Sequence, residues 1–272
     1  MVQLTITEAA LQAYDLTRKF GKFTAVDALS FTIKAGEVFG LLGPNGAGKS
    51  TVIKMLTTLL PPSSGQAVIA GFDVTHQERA VRRVIGYVPQ ALSADGNLTG
   101  YENLLIFAKL YDIPRSKREH RIREALLFMG LQDVAHRLVR NYSGGMIRKL
   151  EIAQSILHQP KILFLDEPTV GLDPIARNQV WELVQQLLEN YGTTVLLTTH
   201  FLEEADSLCD RVAIMHRGKI VVTGTPEQLK ASLAKSNASL DDVFIHYTGD
   251  QLASGVNYHE TSRIRRAARR LG

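Results

Sequence analysis

Three short segments of the sequence contain residues that could bind or cleave a chain of phosphates. The first, residues 43–51, reads Gly-Pro-Asn-Gly-Ala-Gly-Lys-Ser-Thr and fits the pattern G-x-x-x-x-G-K-[ST]. Its glycines let the backbone approach an anion, Lys49 supplies a cation for the β and γ phosphates, and Ser50 offers a hydroxyl to Mg²⁺. The segment, hereafter the phosphate loop, lies between an apolar run and a helical pattern, as the motif requires. The expected nucleotide-binding residues here are Gly43, Pro44, Asn45, Gly46, Ala47, Gly48, Lys49, Ser50 and Thr51.

The second segment is a short apolar run, residues 161–168, that includes the adjacent carboxylates Asp166 and Glu167 near its end. Such a run is typical of a strand in a parallel sheet, and ligands bind beyond the carboxyl ends of these strands. Taken alone, it also fits a strand that ends in a solvated acidic turn. Beside a nucleotide, we expect Asp166 to hold Mg²⁺ and Glu167 to polarise the attacking water.

The third segment, residues 142–146 and hereafter the signature segment, reads Tyr-Ser-Gly-Gly-Met and could form a second anion site. Ser143 can cap a helix that begins at Met146, and Gly144 and Gly145 would then expose bare N–H groups. The start of a helix attracts anions through such groups and through its dipole. Taken alone, Ser-Gly-Gly also fits an ordinary capped helix.

In this order, the three segments resemble those of the nucleotide-binding subunit of an ATP-binding cassette (ABC) transporter. The resemblance extends from about residue 11 to about residue 230, and the signature segment separates this family from other phosphate-loop NTPases. Tyr142 and Met146 replace the Leu and Gln of the family's commonest signature, while Ser-Gly-Gly is intact. The resemblance implies a head-to-tail dimer, in which Ser-Gly-Gly of one chain closes on the γ phosphate of ATP held by the other.

The resemblance implies roles for four more residues. His200 would contact the γ phosphate, Gln90 would touch Mg²⁺ or the attacking water and report to the transporter partner, and Asp173 would communicate across the dimer. Phe20 would stack on adenine, and Tyr14 is its rival for that position. The expected catalytic residues are therefore Glu167, His200 and Gln90, and the expected metal-binding residues are Ser50, Gln90 and Asp166.

The resemblance also implies an α/β fold, namely a phosphate-loop NTPase core of the ABC ATPase type with an antiparallel β subdomain and a helical subdomain that contains the signature segment. Apolar residues alternate over residues 11–42, which is typical of antiparallel strands, and recur at helical spacing within residues 91–160. We expect the nucleotide-binding domain to span residues 1–235, with the helical subdomain at about 91–160. Residues 236–272 would form a C-terminal extension.

The composition indicates one large domain in a reducing compartment. The chain has 272 residues and a single cysteine, Cys209, so it cannot form an internal disulfide. Its first residues do not resemble a secretory signal, and no apolar run approaches the roughly 20 residues that cross a bilayer. We therefore expect a peripheral protein on the cytoplasmic face of the cell membrane, bound to a separate transmembrane permease subunit.

The C-terminal tail accounts for the whole net charge of +4, because residues 260–272 contain five arginines and one glutamate. The rest of the chain is balanced, so we expect no nucleic-acid partner. Apolar residues recur at helical spacing between the arginines, which predicts a short basic amphipathic helix. The simpler interpretation of the tail is a frayed, solvated chain end. The alternative is contact of this helix with the anionic cytoplasmic leaflet or an acidic partner surface.

The function that the resemblance implies is ATP hydrolysis, with ATP and Mg²⁺ as cofactors, in the motor subunit of a transporter. Because the chain has one phosphate loop and no repeat, we expect a homodimer or a pair with a second ATPase subunit. Residues 241–249 resemble the corresponding segment of daunorubicin-resistance exporters, which points to export of drugs, antibiotics or other hydrophobic or amphipathic compounds. The alternative is a non-transport ABC ATPase of the DNA-repair, chromosome or translation type, and the substrate itself cannot be read from the sequence.

Overall fold

Ten β-strands and nine α-helices form the part of the chain that the computed structural model describes, which comprises residues 9–233, 235 and 237–249. The strands are β1 (Ala9–Phe20), β2 (Phe23–Lys34), β3 (Val38–Leu42), β4 (Ser64–Ile69), β5 (Phe72–Asp73), β6 (Ile85–Val88), β7 (Ile162–Asp166), β8 (Thr194–Thr199), β9 (Arg211–His216) and β10 (Lys219–Gly224). The helices are α1 (Lys49–Leu56), α2 (Glu78–Val84), α3 (Gly100–Leu110), α4 (Arg115–Phe128), α5 (Gly144–Ile156), α6 (Pro174–Tyr191), α7 (Leu202–Leu208), α8 (Pro226–Ala231) and α9 (Leu240–Thr248).

The strands form two sheets with different patterns. A four-stranded antiparallel sheet has the order β2-β1-β4-β5. A six-stranded sheet has the order β10-β9-β3-β8-β7-β6, in which only β10 runs antiparallel to its neighbour among the described residues. The separation of an antiparallel sheet from a mainly parallel one is the arrangement expected from the sequence.

In the six-stranded sheet, every residue of the central strands β3, β7 and β8 is buried, so these strands face the core on both sides. Alternate residues of β7 enter two different hydrophobic clusters, with Phe164 on one side of the sheet and Leu163 and Leu165 on the other. The cluster that contains Phe164 also includes residues of the antiparallel sheet, α1 and α2. The cluster that contains Leu163 and Leu165, hereafter the cluster under the helices, includes residues of α3 to α9. A strand that is buried on both faces has a continuous apolar sequence, and this pattern is the reason why the sequence predicted a strand in a parallel sheet here.

The single cysteine lies in this core. Cys209 is buried beside Gly40 of β3, where an added Cβ would approach the Cys209 Sγ to 2.6 Å. Burial raises the pKa of the Cys209 thiol well above its usual value, and the charges of Glu204 and Asp210 raise it further. The side chain therefore acts as a small apolar residue that fills the space a glycine leaves open.

Three helices, α3, α4 and α5, form the helical subdomain within residues 91–160, where helices were predicted. A capping box of Thr99 and Glu102 begins α3, and Ser143 caps α5 through a 3.3 Å hydrogen bond from the Met146 N–H. Ser143 is the capping residue that the sequence predicted. The helix begins at Gly144 rather than at Met146, because the two glycines already belong to its first turn. No helix in the described part of the chain is long and apolar enough to span a membrane.

Helix α9 packs onto the core although it lies in the predicted C-terminal extension. Leu240, Val243 and Phe244 are almost fully buried in the cluster under the helices. The predicted boundary between residues 235 and 236 remains a prediction, and the basic tail at residues 260–272 lies outside the described residues.

Candidate nucleotide-binding and catalytic site

Four parallel strands end at one edge of the six-stranded sheet, and each delivers a predicted site residue there. The phosphate loop follows β3, and Gln90 comes two residues after β6. Asp166 ends β7 with Glu167 next in the chain, and His200 directly follows β8. Loops beyond the carboxyl ends of neighbouring parallel strands lie close together, so residues far apart in sequence meet at this edge.

A cleft of about 500 Å³ opens at this edge and is shared by the phosphate loop and the hairpin between β1 and β2. Phe20 lines it and is half exposed, while its rival Tyr14 is absent from the lining residues described. Phe23, which the sequence analysis missed, pairs with Phe20 across the hairpin and also lines the cleft. The described lining is Phe20, Phe23, Ala25, Pro44, Asn45, Gly46, Gly48, Lys49, Ser50, Thr51, Gln90 and Glu167.

The phosphate loop has a backbone that only glycine adopts readily at its turn into α1. Gly48 has a φ of 106°, and a Cβ there would lie 2.5 Å from the Ala25 carbonyl oxygen. Lys49 begins α1, and its Nζ donates to the Gly43 carbonyl oxygen at 2.7 Å, which curls the loop around the ammonium group. The loop therefore places a buried cation at the N-terminus of α1, where the cation and the helix dipole would both favour a bound anion.

Glu167 lies between two nitrogen groups. Its Oε1 is 2.9 Å from Lys49 Nζ, and its Oε2 is 2.6 Å from His200 Nδ1. The Glu167 backbone has a φ of 52°, in the left-handed region, and its N–H donates to the Thr198 hydroxyl at 3.0 Å. Strained backbone of this kind is common at functional sites, where the surroundings hold a side chain in one direction.

These contacts determine the charge of the Glu167 carboxyl. Burial by itself raises its pKa, but the hydrogen bond to His200 and the charge of Lys49 outweigh burial and hold the pKa below the usual value. The carboxylate is therefore ionised at neutral pH and can accept a proton from a bound water. This is the state that a general base needs.

Asp166 and Ser50 provide oxygen ligands that suit Mg²⁺. The Ser50 hydroxyl donates to Asp166 Oδ1 at 3.0 Å, and the Thr198 hydroxyl donates to the same oxygen at 2.7 Å. No cluster of three or more His, Cys, Asp or Glu residues that could hold a metal occurs among the described residues. A hydroxyl and one carboxylate fit Mg²⁺, which keeps several waters and binds substrate phosphates rather than an all-protein cage.

The signature segment and Asp173 lie on a different surface, outside the described lining of this cleft. Ser143 and Asp173 are both exposed helix caps, on α5 and α6 respectively. The two helix starts touch, because a Cβ on Gly145 would lie 2.8 Å from the Ala176 Cβ. The structure thus groups the predicted residues Ser143, Gly144, Gly145 and Asp173 at two neighbouring helix starts, outside the described lining of the cleft.

Comparisons with known proteins identify the family of this chain. The sequence model of the family described as ABC transporter matches residues 26–170. The daunorubicin/doxorubicin resistance ATP-binding protein DrrA of Streptomyces peucetius is 45% identical over 258 residues, an alignment that covers 93% of this chain and 78% of that protein.

Two solved structures share the fold. An ATP-binding subunit of an ABC transporter has a TM-score of 0.78 and 29% identity, and the match covers 88% of this chain and 99% of that one. The ATP-binding cassette MJ0796, solved as a dimer in a post-hydrolysis state with ADP and Pi, has a TM-score of 0.70 and 27% identity, covering 79% and 98% of the two chains. The fold class and the resemblance predicted from the sequence are thereby confirmed, and the chain belongs to the ABC transporter family as an ATP-binding, ATP-hydrolysing subunit.

Proposed function

We propose that this chain hydrolyses MgATP to drive the export of drugs, antibiotics or other hydrophobic or amphipathic compounds through a separate membrane subunit. Family membership accounts for the ATPase activity. Export and the compound class are supported by the daunorubicin/doxorubicin resistance relative and by the predicted resemblance of residues 241–249 to such exporters. The relative's role in resistance favours transport over DNA repair or translation.

The observation that best supports the reaction is the placement of Glu167 between Lys49 and His200. In the described state the Lys49 ammonium pairs with the Glu167 carboxylate at 2.9 Å. When phosphates enter the loop, Lys49 turns toward their oxygens, and Glu167 Oε1 becomes free to accept a hydrogen bond from water. His200 keeps the other carboxylate oxygen in place through the 2.6 Å contact.

Hydrolysis then follows by in-line attack. The water oxygen bonds to the γ phosphorus as the bond to the bridging oxygen of ADP breaks, and Glu167 takes the water proton. Ser50, Asp166 and Gln90 would hold Mg²⁺, which neutralises charge on the β and γ phosphates when bound. Phe20, with Phe23 beside it, offers an aromatic face to the adenine.

The two-chain site is proposed to be a head-to-tail homodimer, or a pair with a second ATPase subunit. Ser143 and Asp173 lie apart from the cleft of their own chain, so they are free to contact nucleotide held by another. The related cassette MJ0796 was solved as a dimer with hydrolysis products. Each site would then combine the phosphate loop of one chain with the signature segment of its partner.

A peripheral position on the cytoplasmic face of the membrane is proposed to depend on the permease subunit, which would dock on the helical subdomain just after Gln90. Leu92 in this region is half exposed. Charged substitutions at Ala91 and Leu92 should uncouple transport while the ATPase activity of the purified chain persists. Transport that persists in these variants would place the docking surface elsewhere.

The basic tail is proposed to add a second membrane contact. Deleting residues 260–272 should reduce binding to anionic vesicles, because each arginine near such a surface contributes about 1 kcal/mol. The ATPase activity of the purified chain should not change. Equal vesicle binding at low salt with and without the tail would show that the tail is merely solvated.

The test of the proposed function is drug efflux in cells that produce this chain together with its membrane subunit. Wild-type protein should lower cellular accumulation of an amphipathic fluorescent drug, and Glu167→Gln should abolish this effect at equal protein levels. Efflux supported equally by Glu167→Gln would contradict an ATP-driven exporter. ATP hydrolysis by the purified chain without any effect on accumulation would contradict the compound class but leave the ATPase assignment intact.

A further inference from the structure

Three buried polar side chains form a stripe along α5, the helix that begins in the signature segment. Arg148, Glu151 and Gln154 are spaced by three residues, so they share one side of the helix. Each is between 1% and 3% exposed. Buried charges and amides lower stability unless nearby groups satisfy their hydrogen bonds. The hydrogen-bond partners of these three side chains therefore indicate what the stripe does.

The partners of Arg148 are backbone carbonyl groups in the loop that contains Gln90. Its Nη1 donates to the Pro89 oxygen at 2.7 Å, and its Nη2 donates to the Gln90 oxygen at 2.8 Å. The planar guanidinium thus holds two consecutive carbonyls in a fixed direction. Arg148 reaches them across 58 and 59 residues of sequence.

Glu151 holds the other end of the same loop. One of its oxygens is 3.0 Å from Arg148 Nη1, so the two side chains form a buried ion pair. The other oxygen accepts hydrogen bonds from the Ser93 N–H, from the Ser93 hydroxyl at 3.1 Å and from the Ala94 N–H at 3.3 Å. The pair therefore binds four residues of the loop, on both sides of its middle.

Gln154 completes the stripe through a second side chain. Its amide donates at 3.3 Å to Asn103, which exchanges two 3.0 Å hydrogen bonds with the backbone of Asp95. The loop from Pro89 to Asp95 is thus fastened to α5 along its length, whereas β6, which precedes it, ends at Val88 in the core sheet.

We propose that Arg148 and Glu151 position Gln90 for hydrolysis. Gln90 lines the nucleotide cleft, while its backbone is bonded to the helix that Ser143 caps. Arg148 and Glu151 therefore fix the backbone of a residue that lines the cleft. This inference rests on the proposed role of Gln90 in hydrolysis.

The burial of Arg148 agrees with a positioning role. Its Nε is buried without a hydrogen-bond partner among the described residues, and burial lowers the pKa of its guanidinium, against the opposing charges of Glu151 and Asp166. Apolar side chains of similar volume in place of the whole Arg148–Glu151 pair would often be as favourable for stability alone. What an apolar side chain could not do is hold the two carbonyls of Pro89 and Gln90.

A double-mutant cycle on the purified full-length chain tests the proposal. Arg148→Lys keeps the charge but cannot bind both carbonyls and Glu151 at once, so kcat for ATP should fall about 10-fold while KM changes less than about 2-fold. In a Gln90→Ala background, Arg148→Lys should lower kcat by less than about 2-fold, because the residue that it positions is already absent. The matched control is Arg118→Lys, since Arg118 Nε donates to the Ile113 carbonyl at 2.7 Å elsewhere in the helical subdomain. This control should leave kcat unchanged.

Two outcomes would overturn the proposal in distinguishable ways. If Arg148→Lys lowers kcat equally in both backgrounds, Arg148 acts independently of Gln90, and the role of Gln90 itself still stands. If Gln90→Ala alone leaves kcat at the wild-type value, both the role of Gln90 and the positioning by Arg148 are wrong. Glu151→Gln is taken through the same cycle, with the unfolding midpoint of every variant measured, so that a folding defect in one variant does not decide the result.

Discussion

At the scale of single residues, we propose two successive roles for the carboxylate of Glu167. In the described structure it pairs with Lys49, and both side chains are almost fully buried. If Lys49 turned to bound phosphates, the same carboxylate would keep its contact with His200 and have one oxygen free for water. The left-handed backbone at Glu167 would hold this oxygen in one direction, so that little reorganisation would be needed.

Glu167→Gln should therefore bind ATP but turn it over about 10²-fold or more slowly, because an amide cannot accept the proton. Lys49→Ala should instead weaken ATP binding, since the cation on the phosphates is lost. Steady-state ATPase assays and equilibrium binding of ATP separate the two effects. Wild-type turnover by Glu167→Gln would remove this residue from the role of general base.

Glu204 is another buried carboxyl, located on α7. It accepts hydrogen bonds from the Thr169 hydroxyl and the Trp181 indole, both at 3.0 Å. Burial raises the pKa of Glu204, and the hydrogen bonds only partly oppose this. The folded state therefore keeps a proton on Glu204 at pH values where the unfolded state has released it. The free energy of unfolding falls as the pH rises above the pKa of Glu in the unfolded chain, which is about 4.3.

The substitution Glu204→Gln should remove this pH dependence while its carbonyl keeps both hydrogen bonds. We expect the difference in free energy of unfolding between Glu204→Gln and wild type to increase from pH 4 to pH 7 in favour of the variant, because this range begins below the unfolded pKa. Glu204→Leu should be less stable by about 1–3 kcal/mol for each donor left unpaired. Urea titrations at both pH values measure these differences, and a constant difference would show that Glu204 is ionised in the folded protein.

At the scale of elements, α9 shows that a helix near the end of the described chain can belong to the core. Its apolar side inserts Val243 and Phe244 under α7 and α8, while Ile245 and Tyr247 remain partly exposed. The capping box of Ser239 and Asp242 begins the helix. Residues 241–249, whose sequence resembles that of exporters, therefore also contribute to the packing of the core.

Phe244→Ala should lower the free energy of unfolding by about 3–5 kcal/mol, as truncation of a buried aromatic does. Tyr247→Ala on the exposed side of the same helix is the matched control and should change it by less than about 0.5 kcal/mol. Chemical denaturation of the purified proteins compares the two. Equal stabilities of Phe244→Ala and the control would show that α9 is detached from the core in solution.

The elements that the sequence predicted well are those with a local signal. The strand β7 was recognisable from its uninterrupted apolar residues, and the cap at Ser143 from its neighbours. Phe23 was missed because its relation to Phe20 arises from hairpin pairing. Arg148 and Glu151 were missed for a similar reason, since polar residues on a helix resemble a solvated face until a distant loop is seen to cover them.

At the scale of the whole molecule, we expect a dimer that depends on nucleotide, because Ser143 and Asp173 lie outside the described lining of their own chain's cleft. Glu167→Gln at saturating ATP should form a stable dimer, because the cleft and the signature segment are both intact and hydrolysis is blocked. Ser143→Arg should remain a monomer under the same conditions, because the arginine fills the exposed cap of α5. Light scattering measures the mass, and a monomeric Glu167→Gln chain with ATP bound would contradict the two-chain site.

The buried position of Cys209 allows its reaction with a thiol reagent to report on opening of the core. A thiol must ionise and meet the reagent before it is alkylated, and this one is buried beside Gly40 with its pKa raised. The rate of alkylation then measures how often the sheet core opens, without any introduced label. If the opening also releases ATP, bound ATP should slow alkylation by the factor 1 + [ATP]/Kd. The alkylation rate of Cys209 would then report the ATP affinity of each site variant.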